Sequence, residues 1–392
     1  MIDASKKQEK MKIIDASIST IEKQFGKGSV MIGNTKLEVP ILCSTGSIKL
    51  DLAIGVGGIP EGRISEIYGP ESSGKTTMAL IQIANVQRAG GTAAFVDAEH
   101  ALDPIWATHN GVNMQELLLS QPDSGEEALQ ICQNLIEGAG VDYIVVDSVA
   151  ALVPRSELEG EIGDSHMALQ ARLMSQALRI LTAKIAKTRC HLAFINQVRS
   201  SIGGYGNPEV TTGGNALKFY STIRMEVRKT DVQKDKDGIE GQSSVKMKVK
   251  IVKNKVATPF KIVELDLNTG NNGLYGFDTY AEILDLAVDN NIIKKAGSWF
   301  SFGEERLGQG KDNILTMLRS NDQFFNTIKT QVLSIMEQKN ESIIGSFSSV
   351  TEVVNEEVKK KRRKKNDDVS DNLEEVNIVP ESVEENTEQG DE

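Results

Sequence analysis

The chain is poor in the residues that mark several large classes of protein. It has three cysteines, Cys43, Cys132 and Cys190, which are odd in number and too far apart for a disulfide framework or a zinc cluster. Its four histidines show no metal-ligand spacing. No apolar run could cross a bilayer, and residues 1–12 are charged and lack the apolar core of a secretion signal. We therefore expect a cytoplasmic protein with buried thiols and no membrane partner.

Charge is unevenly distributed along the chain, whose formal net charge is −11. Residues 359–365 form an unbroken basic run, and residues 366–392 contain eleven acidic residues and no basic one. This end of the chain, from residue 346, is predicted to be disordered. One interpretation is a solvated tail that screens itself; the other is an acidic end that competes with nucleic acid for basic surfaces. Because the remaining residues are mildly acidic, any nucleic-acid-binding surface must be local.

The 392 residues are enough for two or three domains. In residues 13–25, isoleucine and phenylalanine recur at helical spacing, which predicts a small helical arm. Such an arm cannot bury its apolar stripe alone, so it must dock on the body or on a neighbouring subunit. The predicted domains are an oligomerisation arm (1–40), a core (41–272), a C-terminal domain (273–345) and the tail (346–392).

Apolar runs and helical patterns alternate in the predicted core, which favours a mainly parallel sheet wrapped by helices. The apolar runs lie at residues 64–68, 92–96, 143–146 and 191–195, and the helical patterns at 78–88, 126–137 and 167–187. Three later β-like stretches, 222–228, 245–252 and 260–267, are expected to add antiparallel strands. Two polar segments, 157–165 and the glycine-rich 200–214, are predicted to be loops. Long loops in a compact domain are usually functional.

Residues 69–77 read GPESSGKTT, a full match to the phosphate-binding pattern GxxxxGK(S/T). An apolar run precedes the motif and a helical pattern follows it. Gly69 and Gly74 allow backbone angles and close approach that a Cβ would block. Lys75 supplies a charge for the β- and γ-phosphates, and Thr76 a hydroxyl for Mg²⁺. The motif predicts binding of a nucleoside triphosphate.

Polar side chains end three of the predicted strands. Asp147 could hold Mg²⁺ through water beside Thr76. Glu99 is a candidate general base for the water that attacks the γ-phosphate; alternatively, Asp97 and Glu99 cap the next helix or pair with lysines. Gln197 could bind the γ-phosphate and transmit nucleotide state to the loop that follows, or it could be a satisfied strand-end amide.

Longer motifs carry a family resemblance that covers residues 12–335. They are IEKQFGKG (21–28), YGPESSGKTT (68–77), DAEHALDP (97–104), DSVAAL (147–152), EGEIGDSHM (159–167), TTGGNALKFY (211–220), VKNK (252–255) and KAGSW (295–299). Together they resemble the bacterial RecA recombinases. The resemblance implies an α/β fold: a P-loop NTPase (RecA-like) core with a mainly parallel central sheet, a small N-terminal helical arm and a small α+β C-terminal domain.

The resemblance also implies a function. It implies an ATP- and Mg²⁺-dependent filament on single-stranded DNA that pairs with a homologous duplex, exchanges strands and activates self-cleavage of an SOS repressor. The implied catalytic residues are Glu99, Lys75, Gln197, Lys253 and Lys255. The two last-named lysines would reach the phosphates of the adjacent subunit; otherwise they are a solvated strand-end pair. The implied nucleotide-binding residues are Gly69, Pro70, Glu71, Ser72, Ser73, Gly74, Lys75, Thr76, Thr77, Asp103, Trp106 and Asp147, with Thr76 and Asp147 at the metal.

Segments 157–168 and 198–214 correspond to the family's two DNA loops. The implied DNA-binding residues are Met167, Arg172, Ser175, Arg179, Arg199, Ile202, Gly213, Gly214 and Asn215. Arg172, Ser175 and Arg179 share one helix face at i, i+3 and i+7, which otherwise is a solvated stripe. Lys218 and Phe219 are the implied interface residues. Contacts through backbone and apolar wedges carry no base code, which suits a protein whose target is read by base pairing.

Three departures from the family pattern stand out. Trp106 replaces a tyrosine that stacks on adenine, so a flat ring is kept and a hydroxyl is lost. The second loop is one residue shorter, and NTGNNGLY at 268–275 replaces the family's YGEG element. Two other functions remain open on the residues alone: a ring helicase built on the same core, and a scaffold filament switched by nucleotide.

Overall fold

The structure is a computed structural model that describes residues 4–30, 39–161, 168–200, 209–234, 242–270 and 273–339. Two compact units are present, Met1–Pro40 and Ile41–Glu392. In the described residues the first unit contains helix α1 (Ala4–Phe25), which confirms the predicted helix. Ile13 and Phe25 on this helix are 63% and 69% exposed. The basic run and the acidic stretch at the end of the chain lie outside the described residues.

The second unit contains the remaining elements. Its helices are α2 (Ile48–Ile54), α3 (Lys75–Arg88), α4 (Pro104–His109), α5 (Gly125–Glu137), α6 (Arg155–Leu158), α7 (Leu169–Thr188), α8 (Ala216–Tyr220), α9 (Thr279–Asp289), α10 (Lys311–Ser320) and α11 (Asp322–Lys339). Its strands are β1 (Ile41–Cys43), β2 (Ile59–Pro60), β3 (Ile64–Gly69), β4 (Ala93–Asp97), β5 (Leu118–Ser120), β6 (Tyr143–Asp147), β7 (His191–Ser200), β8 (Glu209–Thr211), β9 (Ile223–Lys234), β10 (Gln242–Asn254), β11 (Ile262–Thr269), β12 (Tyr275–Phe277), β13 (Ile293–Ala296), β14 (Trp299–Phe302) and β15 (Glu305–Gln309).

A ten-stranded sheet organises this unit, in the order β12-β11-β10-β9-β3-β7-β6-β4-β5 with β8 beside β7. The six strands from β9 to β5 in this order are parallel to their neighbours, which confirms the predicted fold class. The stretch 222–228 was expected to be antiparallel, and that expectation is wrong: β9 runs parallel to β3. The crossover that includes α8 returns the chain to the same end of the sheet. Strands β10, β11 and β12 are antiparallel, as predicted for the two later stretches.

Each face of the parallel strands is covered by its own apolar cluster. Ile67 and Phe95 point to the cluster that contains α3, and Val96 and Phe194 to the cluster that contains α5 and α7. Because the strands are buried on both faces, they are continuously apolar rather than alternating. This rigid sheet fixes the strand ends that carry the polar side chains.

The C-terminal segment combines helices α9 to α11 with the three-stranded antiparallel sheet β13-β14-β15. It has its own apolar cluster, which includes Phe300, Ile314 and Val332. Ile48 and Leu52 of α2 pack against that cluster. The salt bridge between Lys49 and Asp285 (2.7 Å) adds a polar contact, so this segment and the main sheet share one compact unit.

Candidate functional site

The phosphate-binding loop joins the central strand β3 to helix α3. A Cβ at Gly69 would lie 2.0 Å from the carbonyl oxygen of Val227, so the end of this strand requires glycine. Gly74 has a φ of 89°, in the left-handed region. Ser73 Oγ donates to the Pro70 carbonyl (2.9 Å) within the loop. The chain therefore turns tightly and directs the amino end of α3 at one point, an arrangement that suits phosphate.

Lys75 lies inside this turn. Its Nζ donates to the Pro70 carbonyl oxygen (2.6 Å). Burial lowers the pKa of Lys75, and the carboxylates of Asp147 and Glu99 act in the opposite direction. A desolvated ammonium beside the first turn of a helix is a strong electrostatic partner for a polyphosphate.

Thr76 and Asp147 meet where β6 ends. Thr76 Oγ1 donates to Asp147 Oδ2 (2.7 Å), and Asp147 is 7% exposed. Burial raises the pKa of Asp147 to about 6, opposed by the Thr76 hydrogen bond. A hydroxyl and a carboxylate are the hard oxygen donors that Mg²⁺ prefers. Within the described ranges no group of three or more histidine, cysteine, aspartate or glutamate side chains that could hold a metal ion occurs.

Glu99 and Asp97 follow β4 and have different partners. Asp97 accepts hydrogen bonds from the backbone of Ala101 (3.2 Å) and Leu102 (3.1 Å), which precede α4, so it does not cap that helix. Glu99 Oε1 instead accepts a hydrogen bond from the hydroxyl of Ser148. The structure thus separates the two carboxylates: Asp97 organises its own turn, and Glu99 faces the ends of neighbouring strands.

Gln197 lies at one of those strand ends. Its Nε2 donates to Glu99 Oε1 (3.0 Å), and its position in β7 is in register with Gly69 of β3. Gln197 is therefore both a satisfied amide and the group beside the candidate base. Ser148, the second partner of Glu99, was not identified from the sequence, although its position directly after Asp147 was a signal.

Trp106 closes one side of a groove of about 250 Å³ that residues 72–77 also line. Trp106 Nε1 donates to Thr77 Oγ1 (3.1 Å), so the ring is held beside the start of α3. Asp103 is outside this lining; its carboxylate caps α4 by accepting from the backbone of Trp106 (3.1 Å) and of the preceding residue. Tyr275, missed from the sequence, contacts Trp106 edge-on with ring centroids 5.8 Å apart. Gly69, Pro70 and Glu71 belong to the loop but not to this lining.

Lys253 and Lys255 lie where β10 ends, beside α8. Lys253 Nζ donates to the carbonyls of Lys218 (2.6 Å) and Phe219 (3.0 Å), and Lys255 Nζ to that of Phe219 (3.4 Å). Burial, together with Lys255 and Arg224, lowers the pKa of Lys253 to about 8. Phe219 is 71% exposed. The structure brings all four predicted residues together, and they lie on different elements from those that carry Glu99 and Asp147.

The predicted DNA-binding face of α7 is exposed. Arg172, Ser175 and Arg179 line one shallow groove, and the apolar residues of α7 face the core on its other side. Arg199 is exposed on β7. Met167 and Ile202 lie outside the described residues.

The second predicted loop is partly a strand. Residues 209–211 form β8, which pairs antiparallel with the extended end of β7, because the chain returns along the strand that it has just left. A Cβ at Gly213 would lie 2.7 Å from Val149 Cγ1, and one at Gly214 would lie 2.8 Å from Ala171 Cβ. Both glycines have positive φ, so this return requires glycine for packing as well as for its backbone conformation. Asn215 is exposed at the start of α8.

Among the residues that the structure describes, no helix is long and apolar enough to span a membrane. Comparison with known proteins matches residues 12–274 to the RecA N-terminal domain and residues 281–337 to the RecA C-terminal domain. Protein RecA of Clostridium novyi is 54% identical over 326 residues, which cover 83% of this chain and 91% of the relative.

Two further relatives show the same extent of similarity. Protein RecA of Chloroherpeton thalassium is 55% identical over 329 residues, covering 83% of this chain and 90% of the relative. Protein RecA of Caulobacter vibrioides is 52% identical over 343 residues, covering 87% and 94%. Both family domains and nearly the full length of the relatives are matched: the chain belongs to the RecA family.

Proposed function

We propose that this chain uses ATP hydrolysis, through the residues around Glu99 and Gln197, to control a filament that exchanges DNA strands. Membership of the RecA family gives the general activity, which is that of a recombinase and DNA-dependent ATPase. It does not favour a ring helicase or a scaffold that is only switched by nucleotide. The roles of individual residues are our proposal.

The observation that carries the proposal is the 3.0 Å hydrogen bond from Gln197 Nε2 to Glu99 Oε1. Glu99 can hold and deprotonate a water in line with the γ-phosphate because it lies beside Lys75 and the amino end of α3. Gln197 can exchange this bond for one to the γ-phosphate. Since Gln197 begins the polar end of β7, such an exchange would move the strand that leads into the second DNA loop.

Phosphate binding falls to the loop amides and to Lys75. Thr76 and Asp147 would hold Mg²⁺, Asp147 through water, and a bound Mg²⁺ would neutralise charge on the phosphate oxygens. Trp106 offers its ring to the adenine, where stacking needs no hydroxyl.

A neighbouring subunit completes the site in this proposal. Lys253 and Lys255 would supply positive charge to the phosphates of the adjacent subunit, so that hydrolysis depends on assembly as it does with an arginine finger in trans. Their bonds to the carbonyls of α8 place them beside Phe219, whose 71% exposure suits a contact with another copy of the chain. Lys218 would lie in the same interface. The exposed apolar residues of α1 suit the same kind of contact.

DNA would bind along the exposed face of α7 and at the return of the second loop. Arg172, Ser175 and Arg179 can contact successive phosphates, and Gly213 and Gly214 can present bare backbone N–H groups. Arg199 and Asn215 flank that return. Met167 and Ile202 are proposed as the apolar wedges between groups of bases. The proposed partners are single-stranded DNA, a homologous duplex, further copies of the chain and an SOS repressor, in the cytoplasm.

Turnover of ATP with and without single-stranded DNA tests the proposal. We expect DNA to stimulate hydrolysis in the unaltered chain, and we expect no stimulated hydrolysis in Lys75→Ala or Glu99→Gln. Glu99→Gln should still assemble on DNA with ATP, since it keeps the phosphate loop and Lys75. Loss of a general base lowers turnover by about 10²–10⁴-fold. The matched control is Glu116→Gln, which removes an exposed carboxylate outside the site. Hydrolysis indifferent to DNA would count against the proposal.

A further inference from the structure

Glu66 is a charged side chain at the centre of the sheet, which the mechanism above does not use. It lies in β3, three residues before the phosphate loop, and is 0% exposed. Its Oε2 accepts a hydrogen bond from Arg224 Nε of β9, and its Oε1 accepts one from Asn196 Nδ2 of β7 (2.9 Å). Burying a carboxylate is costly unless it is paired and hydrogen-bonded, so both partners are needed to keep it there.

Asn196 connects Glu66 to Gln197, the residue beside the candidate base. It is fully buried, and its Oδ1 accepts from the backbone N–H of Gln197 (2.8 Å). The same oxygen accepts from the hydroxyl of Thr212, and Nδ2 also donates to the Thr212 carbonyl (3.1 Å). One amide therefore holds both ends of the second loop: β7, which enters it, at Gln197, and the residue after the returning strand β8, Thr212.

The carboxylate decides which way this amide points. A carboxylate paired with a guanidinium accepts hydrogen bonds and donates none, so Asn196 must turn its NH₂ group towards Glu66. That orientation leaves Oδ1 for Gln197 and for the Thr212 hydroxyl. If the amide rotated by half a turn, its NH₂ group would face the N–H of Gln197, donor against donor, and the contact would be lost.

Arg224 connects Glu66 to β9, which lies on the other side of β3 from β7. Its guanidinium lies over the ring of Tyr68, 4.7 Å from the centroid. Arg224 is paired across the ladder with Lys253 of β10, and Lys253 donates to the carbonyl of Phe219. Hydrogen bonds thus connect Glu99 and Gln197, through Asn196 and Glu66, to Arg224, whose partner in the backbone register is Lys253 of β10.

We propose that Glu66 is a positioning residue that couples DNA binding at the second loop to ATP hydrolysis. It does so by fixing the Asn196 amide on one side and Arg224 on the other. This inference rests on the proposed function. It identifies Glu66 as the buried group through which the second DNA loop, Gln197 and Lys253 influence one another. Glu66 does not touch substrate, so its replacement affects coupling and leaves nucleotide binding in place.

Glu66→Gln tests the inference with little change of shape. A glutamine can donate as well as accept, so it no longer dictates the orientation of Asn196, and its NH₂ group cannot accept from Arg224. We expect DNA-free turnover and the KM for ATP to stay within about twofold of the unaltered chain, whereas DNA-stimulated kcat falls by about tenfold or more, the loss expected for a hydrogen bond to a charged group. Glu226→Gln is the matched control, because it breaks the Glu226–Arg228 pair (2.7 Å) within β9 without touching Asn196. This variant should keep full stimulation.

Thr212→Val provides a second test, at a half-buried position. It keeps the shape of the side chain but removes the hydroxyl that donates to Asn196, and we expect DNA stimulation to fall by about threefold to tenfold. Glu66→Gln or Thr212→Val with normal stimulation would overturn the role of Glu66. An equal fall in DNA-free and DNA-stimulated turnover would also overturn it, because it indicates a structural defect only. Absence of stimulation in the unaltered chain would instead overturn the proposed function itself.

Discussion

Replacing Glu282 by glutamine is expected to remove a pH dependence of folding that originates where α9 meets the start of α2. Glu282 is 2% exposed, and its Oε2 accepts from the backbone N–H of Lys49 (3.4 Å). Burial raises the pKa of Glu282 to about 7, opposed by hydrogen bonding from Ser47 and the backbone of Lys49. Asp51 is its buried neighbour, and burial raises the pKa of Asp51 to about 7 as well, with Glu282 adding to the rise.

The direction of this pH dependence follows from whether the folded or the unfolded state binds the proton of Glu282 more tightly. A carboxyl whose pKa is raised by folding stabilises the folded state while it is protonated, and this stability is lost as the pH rises from the unfolded value through about 7. A rise from 4.5 to about 7 corresponds to about 3 kcal/mol at alkaline pH. Most of it is lost between roughly pH 5 and pH 8.

Urea denaturation of the unaltered chain and of Glu282→Gln at pH 5 and at pH 8 measures this difference. The difference in unfolding free energy between the two proteins should move in favour of the variant by about 2 to 3 kcal/mol from the lower to the higher pH. Glu264→Gln, an exposed position on β11, controls for the loss of one negative charge. A difference that stays constant within about 0.5 kcal/mol between the two pH values would refute the reasoning.

Three further predictions concern the nucleotide site. Gly69→Ala should lower the unfolding free energy by about 3 kcal/mol in urea denaturation, because the new Cβ meets Val227 O at 2.0 Å. Asp147→Asn should raise the thermal midpoint of the nucleotide-free protein at pH 8, because burial raises the pKa of Asp147 to about 6 and its ionisation at pH 8 destabilises the folded state. The same variant should abolish the further rise in the midpoint that ATP with Mg²⁺ produces. An unchanged midpoint without nucleotide would contradict this prediction. Adding ATP should change tryptophan fluorescence in Trp299→Phe but not in Trp106→Phe, and the reverse pattern would exclude stacking on Trp106.

Much of the fold was predictable because its signals are local. The strand, tight turn and helix around Gly69 are each predicted by residues that are adjacent in the chain. The continuously apolar runs indicated parallel strands that are buried on both faces. The direction of β9 was not predictable in this way. It depends on how the chain crosses the sheet through α8, which no pattern within residues 222–228 records.

The residues of the site were likewise predictable only where a local signal in the sequence placed them. Lys75, Thr76 and Asp147 were predictable because a motif or a strand end places each of them, and the structure joins Thr76 to Asp147 at 2.7 Å. Which of Asp97 and Glu99 faces the nucleotide site could not be decided from the sequence, because the two residues lie only two positions apart. The fold makes Asp97 an acceptor for backbone N–H groups of the turn that follows β4, and it turns Glu99 towards Gln197.

The sequence by itself determined the family, the phosphate loop and the elements that flank it, because these depend on contacts between near neighbours in the chain. Only the tertiary structure decided which polar groups meet across the sheet. Glu66 looks like one acid in an apolar strand, and its partners are 130 residues away at Asn196 and 158 residues away at Arg224. Hydrogen bonds of that range exist only after parallel strands are aligned in register, since a shift of one residue would turn each side chain to the opposite face.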